Sequence, residues 1–370
     1  MQQAYAVYRV KAMTDYSSIT NRQGTRLKET FFRAHKSCFL IHDILLQLLV
    51  SGLQSSIFNI SIPLKDDTER DDLEGCNDIF DWLESTDRVD DRANLLITTV
   101  FPAILGDMLN CLYETLETSR KGKTTVSFML LRKPIQESLF VLEYMIADKL
   151  DFSMKMTYDS IKLYSQKAGG LEVHKARIGT VLEIIGETDR FDAQYLAQLR
   201  YSKSSEDSFD GVCNKAMHLF TSSPYIRTDN LNVNFIFSNE ESIRTHWSYI
   251  YSRLPYMLSY LHSVVEYICA DISVTTTLYV DDMNRRISAA ILLWWDSVDR
   301  AYGNPELQKF VSHTRNRLFA SCKMSGFRHP TRRDLARMAE NGAYPGESED
   351  KVEQRHEQFV LLAQTAKAWS

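Results

Sequence analysis

The stretch from Val126 to Leu150 is apolar on almost every helical face. Leu131, Ile135, Leu139, Leu142 and Ile146 fall on one side, and Leu130, Phe140, Val141 and Tyr144 on another. A helix without a polar face has to be enclosed by other elements, so this segment is expected at the centre of the fold. The enclosing elements are predicted to be long helices. Gly and Pro together supply 22 of the 370 residues, about 6%, roughly half of average usage. So few turn-formers exclude collagen-like, Pro/Gly-rich disordered and many-turned all-β chains, and 44% apolar residues exclude a wholly disordered one. The expected fold class is mainly α: a multi-helix bundle with at most one or two short strands or a hairpin.

Periodicity places the other elements. Phe31, His35, Cys38, His42, Leu46 and Leu49 recur every three or four residues and predict a first helix from Thr25 to about Ser51. The acidic stretch Lys65–Glu74 reads as a solvated loop. Helices follow over Asn77–Thr86 and Asp91–Glu117, with Pro102 early in the second, and Ser119–Thr124 reads as a turn. Pro134 should kink the apolar segment or sit near its first turn. Shorter helices are predicted over Tyr158–Ala168, Val173–Glu187, Asp192–Tyr201 and Phe209–Thr221, the last stopped by Ser222-Ser223-Pro224. Leu231–Ser238 (LNVNFIFS) alternates with period two and is the best strand candidate, while Ser242–Ile272 reads as a long aromatic helix bent at Pro255.

The β-branched run Ser273–Val280 marks a soft boundary between a helical core domain (1–275) and a smaller helical C-terminal region with a basic surface (276–370). In that region helices are predicted over Met283–Ala301, Pro305–Cys322, Arg332–Glu340 and Glu349–Ala368. Asn304-Pro305 makes a good start, Thr331-x-x-Asp334 resembles a capping box, and Asn341-Gly342 makes a sound stop.

The net charge of −5 averages two opposed segments. From Lys65 to Arg92 there are 12 acidic residues against 4 basic, and from Lys309 to Arg337 there are 8 Lys/Arg against Asp334 alone. Such segments can face each other or serve separate partners. The basic one offers Arg315, Arg317, Lys323, Arg328, Arg332, Arg333 and Arg337 as nucleic-acid-binding candidates, because clustered cations neutralise phosphates. Six cysteines without any C-x-x-C pair point to reduced, mostly buried thiols of a cytoplasmic protein. The charge-free run Ile44–Leu64 carries seven polar residues and makes a poor membrane span, so no membrane partner is expected.

Three constellations could carry chemistry. His35, Cys38 and His42 fall in one helical stripe about 60° wide and could hold a metal ion, but the stripe continues Phe31, Leu46 and Leu49 as core, and no metal is assigned. Arg132, Lys133, Gln136, Glu137 and Glu143 put charge into the otherwise apolar segment, so they need partners from other helices, as a polar site or as a structural ion-pair network. Asn214 and His218, four residues apart on one predicted helix, could serve as an anion contact and general base. No P-loop, Rossmann fingerprint, H-E-x-x-H or G-x-S-x-G is present. These absences disfavour nucleoside triphosphatase, dinucleotide-dependent dehydrogenase, zincin and serine-hydrolase readings.

The pair of segments Leu130–Ala147 (LLRKPIQESLFVLEYMIA) and Asn214–His218 (NKAMH) resembles a class of all-helical bacterial proteins distantly similar to the HEPN superfamily. Active members of that superfamily are metal-independent ribonucleases of toxin–antitoxin and phage-defence systems. The resemblance covers about a quarter of the chain. It departs from the family in having Lys133, preceded by Arg132, where an arginine is expected, and in lacking the Arg-x(4–6)-His motif of the nucleases. It implies an inactive or divergent member. The expected function is that of a cytosolic helical interaction protein of a defence or toxin–antitoxin-like system. It would act by protein or nucleic-acid binding, as part of a homo-oligomer or with a protein partner, and without a cofactor. The alternative is a HEPN-like ribonuclease with His218, Asn214, Glu137, Lys133 and Arg132 around an interhelical site. Aromatic side chains of the 243–270 helix (Trp247, Tyr249, Tyr251, Tyr256, Tyr260, Tyr267) are candidates for an interface or for core.

Overall fold

A computed structural model describes residues 25–161, 163 and 169–367. The described chain is mainly α, with no strand among the described residues. In order, the helices are α1 Phe32–Gln54, α2 Asp67–Gly75, α3 Ile79–Ser85, α4 Val89–Arg120, α5 Thr124–Lys133, a π-helical turn Pro134–Ser138, α6 Leu139–Ala147, α7 Lys149–Tyr158 and α8 Gly170–Ile184. They continue as α9 Ala193–Tyr201, α10 Phe209–Met217, α11 Glu240–Ile272, α12 Thr277–Trp295, α13 Pro305–Met324, α14 Arg332–Asn341 and α15 Glu349–Lys367. The helix expected over 158–168 lies mostly outside the described residues.

The most enclosed helix is α11 rather than the 126–150 segment: every residue from Ile250 to Val265 is buried, whereas Val126 and Met129 are exposed. Its sequence concealed this because Ser252, Arg253, Ser259, His262 and Ser263 look polar. Several of them are satisfied internally: Ser259 Oγ donates to the Pro255 carbonyl at 2.8 Å, and Arg253 Nη1 donates to the Tyr302 carbonyl at 2.8 Å. Pro255 sits inside the helix without an N–H to offer the Tyr251 carbonyl. That carbonyl instead accepts the Trp294 indole N–H at 2.7 Å, which ties α12 to the helix interior. Trp247, Tyr251, Tyr256 and Tyr260 are all buried, so these aromatics build core rather than an interface.

Helix α1 packs on α4, α11 and α12, and α12 packs in turn on α13 and α14. The buried apolar cluster runs from Leu27 to Met338 and so includes residues on both sides of position 275. The C-terminal carbonyls of α4 are taken up by tertiary donors: Arg120 O accepts from the N–H groups of Arg26 and Leu27, and Ser119 O accepts from the Trp247 indole. Glu29–Gln54 and α4 are long and apolar enough to cross a membrane, with 50% and 44% of their apolar windows buried inside the bundle.

Two segments depart from the sequence expectation. Residues 65–74 are largely helical: Asp66 caps α2 through Glu69 N–H at 2.9 Å, and Glu69 accepts from Lys65 N–H at 2.7 Å. Asp and Glu in a first turn favour a helix start through its dipole, which outweighs the polarity that suggested a loop. Residues 231–238 form turns, not a strand, with Leu231 and Phe235 at φ of 60° and 63°. Alternation needs a partner strand to become a ladder, and no second strand lies among the described residues.

Candidate functional site

The charges of the 126–150 segment are resolved at the π-helical turn. Pro134 cannot bond back to the preceding turn, the helix widens over Pro134–Ser138, and two carbonyls become available to other helices. Ile135 O accepts from Arg200 Nε at 2.5 Å and Gln136 O accepts from the Tyr201 hydroxyl at 3.1 Å, both from α9. Gln136 Nε2 returns bonds to Arg200 O at 2.7 Å and Asp210 Oδ1 at 2.9 Å.

One turn on, Glu143 is fully buried. Its carboxylate pairs with Arg200, accepts Arg177 Nη2 at 3.0 Å and accepts the Tyr260 hydroxyl at 2.8 Å. Burial pushes the Glu143 carboxyl up, but the charges of Arg200 and Arg177 and the hydrogen bonds from Arg200 and Tyr260 hold it below the ordinary carboxylate range. Arg177 lies over the Phe140 ring at 4.3 Å, and His174 stacks on Tyr201 at 3.7 Å. Two arginines for one carboxylate, with rings beside them, make a paired cluster that joins α6, α8, α9 and α11. The network is structural in form: its charges face each other rather than a cavity.

The five expected catalytic residues divide between two neighbours. Lys133 pairs with Asp107 of α4 at 2.7 Å, with Glu137 close enough to raise the lysine's affinity for its proton as well. Arg132 turns the other way, toward Met217 Sδ at 3.5 Å at the end of α10. Helix α10 stops at Met217, four residues short of its expected end, so His218 has extended backbone and lies exposed beyond it. Asn214 bonds back to Asp210 Oδ2 at 3.0 Å, while the His218 carbonyl accepts from Asn234 Nδ2 at 2.9 Å. His218 still donates its backbone N–H to the Asn214 carbonyl at 3.1 Å, closing the end of α10, but among the described residues no side-chain hydrogen bond joins the two.

The metal-like stripe is also partnered elsewhere. His35 Nδ1 and the Tyr251 hydroxyl lie 2.8 Å apart, and His42 contacts Asp43 Oδ1 at 2.9 Å and Leu109 O at 3.2 Å. Burial pushes the Cys38 thiol well up and lowers His35 to about 3. Among the described residues no group of three His, Cys, Asp or Glu side chains is placed to hold one ion.

In the basic segment, Arg317 pairs with Glu187 at 2.7 Å, Arg328 with Asp334 at 2.7 Å, Arg332 with Asp296 at 3.6 Å and Arg337 with Glu349 at 2.7 Å. Arg315, Lys323 and Arg333 are exposed and make no ion pair among the described residues. No ion pair among the described residues joins this segment to residues 65–92.

The feature that sequence reading missed lies between α10 and α11. Leu219, Phe220, Tyr225, Ile236 and Phe237 are each at least 60% exposed, and Leu231 is fully exposed. The segment is nonetheless well defined. Thr228 N–H bonds to Thr221 O at 2.9 Å, Thr221 N–H to Thr228 Oγ1 at 2.8 Å, Thr228 Oγ1 to Asn234 Oδ1 at 2.9 Å, and Asn234 N–H to Leu219 O at 3.0 Å. Phe235 turns inward against His246 at 4.9 Å and Phe128 at 6.0 Å, pinning the base of the loop. Burial lowers His246 to about 4, so it stays neutral beneath the loop at neutral pH. The available signal was the density of large apolar residues in a stretch that its Ser, Asn and Pro content keeps from being helical.

Comparison with protein-family models, with curated proteins and with solved structures finds no match to this chain.

Proposed function

We propose that this protein acts by binding, that its docking face is the loop over residues 217–237, and that a second copy of the chain covers that face. The observation that carries the reading is the set of exposed apolar side chains on a loop fixed by its own hydrogen bonds. Apolar groups left in water gain from association, and a loop that is already ordered loses little conformational freedom when it docks. Charge selects the occupant. The whole segment contains one cation, Arg227, and one anion, Asp229. A neutral face attracts neither an acidic nor a basic partner, and two-fold symmetry would make any Arg227–Asp229 contact between copies reciprocal. The buried, unlinked thiols of Cys38, Cys213, Cys269 and Cys322 support a reducing, cytosolic setting for this association.

Sedimentation velocity over a concentration series tests the proposal. The protein is expected to approach twice its 42.8 kDa chain mass as concentration rises. Phe220→Asp combined with Phe237→Asp should remain monomeric with an unchanged thermal midpoint, because both rings are exposed. A wild-type monomer at millimolar concentration, or a variant that dimerises as well as wild type, overturns the reading.

A further inference from the structure

A second surface, formed where the chain enters α1, carries an independent inference. A cavity of about 310 Å³ opens between that entry and helices α11 and α12. Lys28 and Arg244 stand at it, both exposed and neither in an ion pair among the described residues. One wall is the half-buried ring of Phe31, held against the buried rings of Trp247 at 5.9 Å and of Tyr251, which also lines the cavity, at 6.0 Å. Asp299 also lines the cavity; its Oδ1 caps Ala301 N–H at 3.0 Å, which leaves Oδ2 as an acceptor. Ser248 and Thr30 add hydroxyls on the two sides.

We infer that this cavity binds a nucleoside monophosphate, with the phosphate between Lys28 and Arg244, the base against Phe31 and the sugar hydroxyls toward Asp299. Two cations that make no ion pair among the described residues match a doubly charged phosphate monoester better than a singly charged carboxylate. Held in this way, the Phe31 ring offers a flat, rigid face for a base to stack on. Asp299 Oδ2, not used in the cap, is an acceptor on the cavity wall, which suits the hydroxyl donors of a ribose diol. The volume lies at the small end of the range for small-molecule sites, suiting one nucleotide and not a dinucleotide.

Titration calorimetry of the full-length protein at low salt, with AMP, adenosine and inorganic phosphate as separate ligands, tests the site. AMP is expected to bind, with adenosine and phosphate each at least about tenfold weaker. Lys28→Glu and Arg244→Glu should each weaken AMP by about tenfold or more, without altering the circular dichroism, since both side chains are exposed. Failure of AMP to bind at millimolar concentration, or AMP affinity unchanged in both variants, overturns the assignment. Phosphate or adenosine binding as tightly as AMP overturns the nucleotide class.

Discussion

The π-helical turn with Glu143 and the loop over 217–237 break the same rule in opposite directions. At the turn, a carboxylate and two arginines are buried inside the bundle; on the loop, large apolar side chains stand in water. The first breach is compensated within the chain. Every charge of the Glu143 cluster meets an opposite charge, and the carbonyls freed by the widened turn are taken by Arg200 and Tyr201. The second breach has no compensation among the described residues: the loop satisfies its backbone through Thr221, Thr228 and Asn234 but covers none of the exposed rings. Internal charge is therefore assigned here to architecture and external apolar surface to binding. Sequence alone invites the reverse, because charged residues on an apolar helix draw the eye as a site.

Removing the buried carboxylate separates the two regions by the widest margin. Glu143→Gln leaves Arg177 and Arg200 buried without their counter-charge, and unfolding in urea is expected to show a loss of about 3–5 kcal/mol. The loop variant Phe220→Asp/Phe237→Asp should show almost none, since neither ring is buried. If the two cost the same, the division between structural charge and binding surface fails.

Acid provides the next largest effect, again confined to the interior. Burial lowers His35 and His262 to about 3 each, below the value of about 6.5 that histidine has in an unfolded chain. Below pH 6.5 the unfolded state therefore binds more protons than the folded state. Stability is full above that pH and falls by about 1.4 kcal/mol per pH unit for each histidine as pH drops toward 3. The Glu143 carboxylate adds a later loss, as pH falls through its lowered pKa. Urea unfolding between pH 7 and pH 5 should reveal the histidine slope, and His262→Phe should remove one histidine's share of it, leaving those of His35 and His246. A pH-independent stability over that interval would contradict the assignment of neutral buried histidines.

Much of the fold was legible in local chemistry. The Thr331–Asp334 capping box forms as its spacing indicates, Gly342 ends α14 at φ 73°, and Asn304 caps α13 with Pro305 in its first turn. These signals need no tertiary information, because a cap bonds to its own helix. What was not legible depends on partners distant in sequence. The alternation of 231–238 indicates a strand only where another strand exists to pair with it. The centrality of α11 was masked by polar residues such as Arg253, whose burial depends on the Tyr302 carbonyl and the Asp207 carboxylate, both distant in sequence. Of the candidate site, the need of Glu143 for partners could be read from its place among apolar residues, but Arg177 and Arg200 could not be named. The end of α10 at Met217 moved His218 off the helix that had placed it beside Asn214.

Hydrogen–deuterium exchange at low and high protein concentration reports where the chains associate as well as whether they do. The account predicts that raising the concentration slows exchange within residues 217–237 and leaves the Glu143 network and the 309–337 segment unchanged. Exchange that stays the same in 217–237 at every concentration, or protection that appears over 309–337 instead, would contradict it.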